Sequence, residues 1–347
     1  SYPSLDAALA ALGNVDRWPI LVASQVGADA EHIVKVRAVV RRGRLTDALR
    51  VIVGGRYGRF EHDEPYYEYD RSGAVTDLTQ YRYRDTGIFT PYGGVIYDLS
   101  DDWAAYASVT EVYRPQSNFR AGPPDVSRPL DPIEGRNYEL GTKGSLFGGR
   151  VNSSFALYRV ERVGEAAQDP AYPDTALDFG NACCYIAQGR VVSQGIDTEL
   201  SGQLAQGWNV FAGYTYNQNR NKRTDLVYHA GTPRHLFKLW STYQFPRAGS
   251  AWTVGGGVTA MSRTVNRGLS WISDGAGGSN QVPFAIRQGG YAVWNASVQY
   301  RLHRDWSLAL NLKNLFDKHY YQALGTPGGA NWYAEPRNVA LTLRGTF

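Results

Sequence analysis

The chain has 347 residues, of which 43% are hydrophobic, 20% charged and 13% aromatic, and its formal net charge is +4. This composition excludes a disordered chain, and the lack of an apolar run of about 18 residues excludes a helical membrane protein. Lys and Arg are scattered rather than clustered, so no nucleic-acid footprint is indicated.

The first segment in chain order, residues 1–31, shows no strand pattern, and we expect it to be an irregular loop with a short helix at most. From residue 32 onwards, apolar and polar residues alternate with a period of two, which is typical of strands exposed to different surroundings on their two faces. The alternation predicts about thirteen strands, at 32–43, 48–62, 80–99, 103–113, 135–147, 150–162, 189–205, 208–220, 232–245, 251–264, 289–303, 306–320 and 334–347. Their polar faces lack the second hydrophobic layer that a β-sandwich needs.

The predicted strands are joined alternately by short and long connections. Short connections fall at 45–47, 100–102, 148–149, 206–207, 246–250 and 303–305, and long ones at 63–79, 114–134, 163–188, 221–231, 265–288 and 321–333. Outer-membrane barrels have short periplasmic turns and long extracellular loops. The sequence therefore predicts an all-β, transmembrane antiparallel barrel.

Four Trp residues follow a short connection directly: Trp103, Trp208, Trp252 and Trp306. Aromatic residues are common in strands generally, but the repeated position favours a girdle at the periplasmic bilayer interface. Glycine groups at 54–55, 93–94 and 255–257 fall inside predicted strands, where we expect either bends or close packing against something in the lumen.

Several blocks of sequence carry a resemblance to a known family. They are TPYGGVIYDL at 90–99, GRNYELGTKG at 135–144, GIDTELSG at 195–202, NLKNLFDKHYY at 311–321 and EPRNV at 335–339. After residue 32 the chain resembles TonB-dependent outer-membrane siderophore receptors over nearly its whole length. Hydroxamate-siderophore receptors, such as those for coprogen and alcaligin, are the most similar in this comparison of motifs.

The resemblance implies a barrel of about 22 strands that follows a plug domain and a TonB box. Because thirteen strands are predicted and no plug sequence is recognised, we expect 32–347 to be the C-terminal part of such a barrel. Phe347 is similar to the terminal aromatic signal that the barrel-assembly machinery recognises, although an ordinary lipid-facing Phe explains it as well.

The implied function is import of a ferric siderophore across the outer membrane of a Gram-negative bacterium. Iron is then held by the siderophore, so no cofactor or protein metal site is expected. Expected partners are the ferric siderophore, the TonB energy-transducing complex, the barrel-assembly machinery and outer-membrane lipid, but not nucleic acid. A passive porin is the alternative. No catalytic motif is recognised, so we expect no enzyme.

The candidate ligand site rests on aromatic residues with nearby donors in the long connections, a composition typical of small-ligand sites. The candidate residues are Tyr66, Tyr67, Tyr69, Arg120, Arg267, Trp271, Trp332 and Tyr333. Alternatively, these rings pack the loops together or form the outer interfacial belt. Cys183 and Cys184 are adjacent, which disfavours an ordinary disulfide between them and leaves a role in rigidifying the loop.

Overall fold

A computed structural model describes residues 19–25, 31–69, 74–116, 119–123, 128–172, 184–223, 232–245, 251–273 and 279–346. Within these ranges, no helix has the length and apolar character needed to cross a membrane.

Twenty strands occur in the described residues. Their bounds are β1 (Pro19–Gln25), β2 (Glu31–Arg44), β3 (Leu49–Tyr69), β4 (Val75–Asp98), β5 (Trp103–Arg114), β6 (Arg120–Ala121), β7 (Arg128–Pro129), β8 (Ile133–Leu146), β9 (Val151–Gln168), β10 (Tyr185–Ala205), β11 (Trp208–Asn221), β12 (His235–Gln244), β13 (Trp252–Met261), β14 (Thr264–Ser273), β15 (Ser279–Gln288), β16 (Tyr291–Arg301), β17 (Trp306–Lys313), β18 (Tyr321–Ala323), β19 (Trp332–Tyr333) and β20 (Asn338–Gly345). Fourteen of them form one sheet in the order β1, β2, β3, β4, β5, β8, β9, β10, β11, β12, β13, β16, β17, β20. The other six form the two-stranded hairpins β6–β7, β14–β15 and β18–β19.

All thirteen strands predicted from the alternation are present in the large sheet. β1 is an additional strand, and it pairs antiparallel with β2, with Pro19 opposite Arg37. The prediction of an irregular segment is therefore wrong for 19–25, and the described sheet has fourteen strands instead of the thirteen expected. A short apolar run such as PILVASQ has no clear period, so alternation does not identify it.

Five of the six predicted short connections are confirmed. Short turns join β2 to β3, β4 to β5, β8 to β9, β10 to β11 and β16 to β17, whereas 246–250 lies outside the described residues. The predicted long connection at 63–79 is wrong, because β3 continues to Tyr69 and β4 begins at Val75. This segment is rich in Tyr, which favours strand over loop.

The chain divides into two compact units. The first comprises Ser1–Ile96, Ala107–Tyr138 and Glu161–Arg190, and the second comprises Tyr97–Tyr106, Glu139–Val160 and Val191–Phe347. In the first unit, Leu130 and Cys184 are almost completely buried, and Cys184 is disulfide-bonded. Our argument against a disulfide is therefore wrong for Cys184; Cys183 lies outside the described residues.

Strand register in the second unit separates two faces of the sheet. On one face, Val254 lies opposite Val298, Val298 opposite Leu310, and Leu310 opposite Leu341. On the other face the corresponding chain of pairs is Thr253, Gln299, Ala309 and Thr342. We call these the apolar face and the polar face. Side chains alternate between faces along each strand, so the register carries this division across the neighbouring strands.

The apolar face continues into β11 and β12. Ala212 lies opposite Leu239, and Leu239 lies opposite Val258 of β13. Even-numbered residues of β11 from Trp208 to Tyr216 therefore share the apolar face.

Two strand glycines have a local packing reason. A Cβ atom at Gly255 would lie 2.6 Å from the Ser297 hydroxyl oxygen and 3.0 Å from the Trp240 ring, and one at Gly257 would lie 2.6 Å from the same ring. These glycines make room for Trp240 of the neighbouring strand. The expected packing against a separate lumen domain is therefore not needed to explain them.

Candidate ligand-binding site

A polar cleft of about 570 Å³ lies in the second unit, at the end of the sheet that carries the long connections. Its volume is in the range of roughly 300 to 1,000 Å³ that is usual for small-ligand sites. The cleft is lined by Asn217, Gln218, Asn219, Arg220, Thr232, Arg234, His235, Ser262, Arg263, Thr264, Val265, Asn266 and Arg267. These residues come from the end of β11, the start of β12 and the segment that leads from β13 into β14.

The floor of the cleft is held by backbone hydrogen bonds around His235. Its last sheet partner on β11 is Tyr216, and just beyond that pair the Asn217 amide donates to the Arg234 carbonyl at 2.9 Å. On the β13 side, the Ser262 amide donates to the His235 carbonyl at 2.9 Å, and the His235 amide donates to the Ser262 hydroxyl at 3.0 Å. The floor is thus fixed to both neighbouring strands.

The electrostatics of the cleft are strongly one-sided. Among the described residues, its lining includes four arginines, Arg220, Arg234, Arg263 and Arg267, and neither Asp nor Glu. Because a guanidinium group stays charged at any physiological pH, these arginines create a positive potential in a concave site. The Arg234 guanidinium carbon also lies 5.9 Å from the centre of the Tyr216 ring, a cation–π contact that helps to orient it. The arrangement is suited to an anionic ligand.

The second unit also contains an exposed aromatic hairpin, β18–β19. The rings of Tyr321 and Tyr333 stack with their centres 4.5 Å apart, and their hydroxyl oxygens are 3.0 Å apart. This hydrogen bond raises the pKa of Tyr321 above its ordinary value. Trp332 and Tyr333 remain 68% and 67% exposed, so the hairpin presents ring surface to the outside.

Side-chain hydrogen bonds connect the aromatic hairpin to β14 and β15. The Asn266 amide group donates to the carbonyl oxygens of Leu324 at 3.2 Å and Gly325 at 2.7 Å. The Tyr321 backbone amide donates to the Gln288 side-chain oxygen at 3.0 Å. Because Asn266 also lines the cleft, the arginines and the exposed rings belong to one connected part of the rim.

The structure brings some of the predicted site residues together. Arg267 lines the cleft, and Trp332 and Tyr333 lie on the aromatic hairpin that is bonded to its wall. Trp271 lies in β14, opposite Gln281, but its side chain is outside the described part of the structure.

The other predicted residues are distributed elsewhere. Arg120 is half-buried in β6, within the first unit. Tyr66, Tyr67 and Tyr69 lie in the outer part of β3 rather than in a loop, and their side chains are not described. Phe347, the proposed assembly signal, lies outside the described residues.

Sequence reasoning missed three of the four cleft arginines, Arg220, Arg234 and Arg263. Each lies within two residues of a strand terminus that borders a long connection. A search for cations at such strand ends, rather than for aromatic residues in the loops, would have found them.

Comparison with known proteins identifies the family. The model of the family described as "TonB dependent receptor-like, beta-barrel" matches residues 41–315. The chain belongs to this family. It is 36% identical to a ferric-pyoverdine receptor of a Pseudomonas species, an alignment that covers 94% of this chain and 37% of the relative. A ferric-pyoverdine receptor of Pseudomonas putida is 33% identical over 89% of this chain and 35% of its own length.

Solved structures show the same fold. The ferripyoverdine receptor of Pseudomonas aeruginosa bound to ferripyoverdine matches with a TM-score of 0.75 and 27% identity over 91% of this chain and 39% of that protein. The alcaligin outer-membrane receptor of Bordetella pertussis matches with a TM-score of 0.64 and 28% identity over 91% of this chain and 45% of that protein. The chain thus spans less than half the length of these relatives.

Family membership confirms the all-β barrel fold and the outer-membrane location. In such a barrel the apolar face of the strands contacts lipid, the polar face lines the lumen, and long connections lie outside the cell. The cleft and the aromatic hairpin therefore belong to the extracellular rim.

Proposed function

We propose that the receptor to which this chain belongs imports a ferric siderophore, and that the cleft and the aromatic hairpin capture it at the cell surface. The observation that carries the proposal is the cluster of four arginines among the described residues that line an extracellular cleft. Relatives named as ferric-pyoverdine receptors support it. The siderophore oxygens would hold the iron, so the capture site needs no metal ligand from the protein.

The family also favours an active receptor over a passive porin. Relatives of this chain are named as receptors or transporters of metal chelates, and none of those named here is an enzyme. Energy coupling through the TonB complex is part of the same proposal, because the matching family is described as TonB dependent. Insertion by the barrel-assembly machinery is included because the match covers the barrel.

The charge of the cleft bears on the ligand class. Three hydroxamate groups neutralise ferric iron, whereas three catecholates, or added carboxylate groups, leave a net negative complex. A positive cleft steers and holds the negative complexes better than the neutral ones. The similarity to an alcaligin receptor supports a hydroxamate ligand, and the cleft then favours one that carries additional anionic groups.

The direct test is a double substitution in the intact receptor, Arg263→Gln with Arg267→Gln. We expect the dissociation constant of a net-negative ferric siderophore to rise at least tenfold, which is about 1.4 kcal/mol. The affinity for a neutral ferric siderophore should fall less. Binding is measured on cells with radiolabelled iron, at low and high salt, because screening should shrink the difference between wild type and variant.

The control is Arg304→Gln, which removes one arginine charge from the short turn between β16 and β17. It should leave affinity unchanged. If the double variant binds every ferric siderophore as tightly as the wild type does, the cleft is not the capture site. If neither the wild type nor the double variant binds a net-negative or a neutral ferric siderophore, the proposed function itself is wrong.

A second substitution tests the aromatic hairpin. Replacing Trp332 and Tyr333 together by Ala should weaken ferric-siderophore binding at least tenfold, about 1.4 kcal/mol, because exposed ring surface for the ligand is lost. The amount of folded receptor should not change, since both side chains are largely exposed. Phe316→Ala, which truncates another exposed aromatic residue, is the control. Unchanged affinity in the double variant would remove the hairpin from the site.

A further inference from the structure

Asn217 lines the cleft from the polar face of β11. It follows Tyr216, which lies on the apolar face, so its own side chain points toward the lumen. Its neighbour on β12 is Arg234, whose carbonyl oxygen accepts from the Asn217 backbone amide at 2.9 Å. Arg263 lines the same cleft. Asn217 therefore places a neutral amide group beside cations that are suited to an anionic ligand.

Two hydroxyl groups fix the orientation of the Asn217 side chain. Its oxygen accepts from the Tyr158 hydroxyl at 2.9 Å and from the Ser193 hydroxyl at 2.8 Å. An amide oxygen has two lone pairs, so these two bonds use its full capacity. The amide nitrogen is directed away from both hydroxyls, and no described residue accepts a hydrogen bond from it. Its two N–H groups are thus donors that a ligand can use.

The contact from Tyr158 depends on a glycine. Tyr158 belongs to β9 and Asn217 to β11, so the tyrosine has to reach across β10, where Gly195 lies opposite Asn217. A Cβ atom at Gly195 would lie 2.8 Å from the Tyr158 hydroxyl oxygen and 1.8 Å from the Tyr216 carbonyl oxygen. Close approach of another group is a usual reason for glycine inside a strand. Gly195 therefore clears the path along which Tyr158, which does not line the cleft, contacts a cleft residue.

The fixed amide complements the arginines chemically. Guanidinium groups make their strongest hydrogen bonds with anionic oxygens. A neutral N–H donor that is held in place suits a carbonyl oxygen instead, and a site built to donate such a bond discriminates strongly against analogues that lack the acceptor. The arginines select ligands by charge, whereas Asn217 can distinguish ligands of the same charge.

We propose that the Asn217 side-chain amide donates to a carbonyl oxygen of the bound ferric siderophore, and that Tyr158 is a positioning residue that holds this amide in its donating orientation. The inference rests on the proposed function and adds a determinant of ligand choice to the same cleft. The ligand class is a siderophore with an amide carbonyl close to an anionic group.

The test is a double-mutant cycle in the intact receptor with Tyr158→Phe and Asn217→Ala. The probe is a net-negative ferric siderophore that contains amide groups, labelled with radioactive iron, at high salt, where effects of charge are screened. We expect Asn217→Ala to weaken binding about tenfold and Tyr158→Phe about threefold. Tyr158→Phe should have no further effect in the Asn217→Ala protein, because the tyrosine acts only through that amide. Effects that multiply would overturn the positioning role.

Two further variants separate donation from folding. Asn217→Asp keeps an acceptor for both hydroxyls but loses the N–H donors, so it should bind at least as weakly as Asn217→Ala, whereas a merely structural role predicts the opposite order. Tyr106→Phe is the matched control for Tyr158→Phe. The Tyr106 hydroxyl donates to Glu139, a Cβ atom at Gly141 would lie 2.7 Å from it, and Tyr106 does not line the cleft. This control should bind as the wild type does, and a loss equal to that of Tyr158→Phe would contradict the inference.

Failure of this inference is distinguishable from failure of the proposed function. If the wild type binds the siderophore and Arg263→Gln with Arg267→Gln weakens binding, but both Asn217 variants bind as the wild type does, Asn217 is not a ligand donor. If the wild type binds no ferric siderophore, the proposed function is wrong and this inference is wrong with it.

Discussion

The substitution Leu310→Arg is expected to lower the free energy of unfolding of the barrel by about 2 to 4 kcal/mol. Leu310 lies on the apolar face, between Val298 and Leu341 of the neighbouring strands. It is four residues from Trp306, about 14 Å along the strand and roughly 10 Å in height for a strand tilted by about 40°, and therefore well inside an apolar band about 25 Å tall. A guanidinium at this depth loses its water and finds no anionic partner in the lipid.

The adjacent residue provides the matched control for this prediction. Asn311 lies on the polar face, between Ser297 and Ala340. Asn311→Arg adds the same side chain to the same strand but keeps it in the lumen, so its effect should stay within about 0.5 kcal/mol. Unfolding of both variants in urea, after insertion into lipid vesicles, measures the difference. Equal losses at the two positions would contradict the assignment of the faces.

The strand pattern could be predicted from the sequence because the two faces of these strands meet different surroundings. Lipid on one side and a polar lumen on the other impose a period of two that persists over many residues, as at 306–313. The same reasoning explains its failures. β1 has no clear period, and in the outer part of β3, HDEPYYEY, apolar residues do not alternate with polar ones.

The hairpins inside the long connections were less accessible to sequence reasoning. β14–β15 and β18–β19 are two-stranded and lie outside the large sheet, so no common face imposes a repeating pattern on them. Their positions depend on single side chains, such as Asn266 donating to Leu324 and Gly325. A pattern of residue types does not reveal such contacts.

The cleft could be predicted only in part, for a related reason. Arg267 was identified because it lies among aromatic residues in a long connection, whereas Arg220 is about fifty residues earlier in the chain. The register β11–β12–β13 brings the two segments to the same rim, since Tyr216 pairs with His235 and Leu236 pairs with Met261. Register over three strands depends on every intervening turn, and residue composition alone does not fix it.

Asn314 connects the end of β17 to the loop that carries the aromatic hairpin. Its backbone φ angle is +48°, in the left-handed region, and the residue is only 4% exposed. Its side-chain amide donates to the carbonyl oxygens of Lys318 at 2.9 Å and Glu335 at 3.2 Å, and its side-chain oxygen accepts from the Lys318 amide at 2.7 Å. The Asn314 backbone amide donates to the Asn295 side-chain oxygen at 3.0 Å. One side chain thus ties both ends of the long connection together.

Asn314→Ala is therefore expected to reduce the free energy of unfolding by about 3 kcal/mol. Three side-chain hydrogen bonds contribute roughly 0.5 to 1.5 kcal/mol each, and Ala, which tolerates the left-handed backbone less well than Asn does, adds roughly 1 kcal/mol of strain. Asn314→Gly loses the same hydrogen bonds without the strain, so it should be the milder variant. Asn295→Ala removes a single acceptor and should cost about 1 kcal/mol. Urea unfolding gives the three values.

The ranking of the three variants by loss of unfolding free energy is a sharper test than the size of each loss, because each substitution removes a different contribution. Limited proteolysis within 318–335 gives an independent measure, since releasing Lys318 and Glu335 should free the loop before the barrel unfolds. In that state the exposed rings of Trp332 and Tyr333 lose their fixed position, so ferric-siderophore affinity should fall even at temperatures where the barrel remains folded. If Asn314→Ala unfolds as the wild type does and its loop resists protease equally, the connection is held by other contacts.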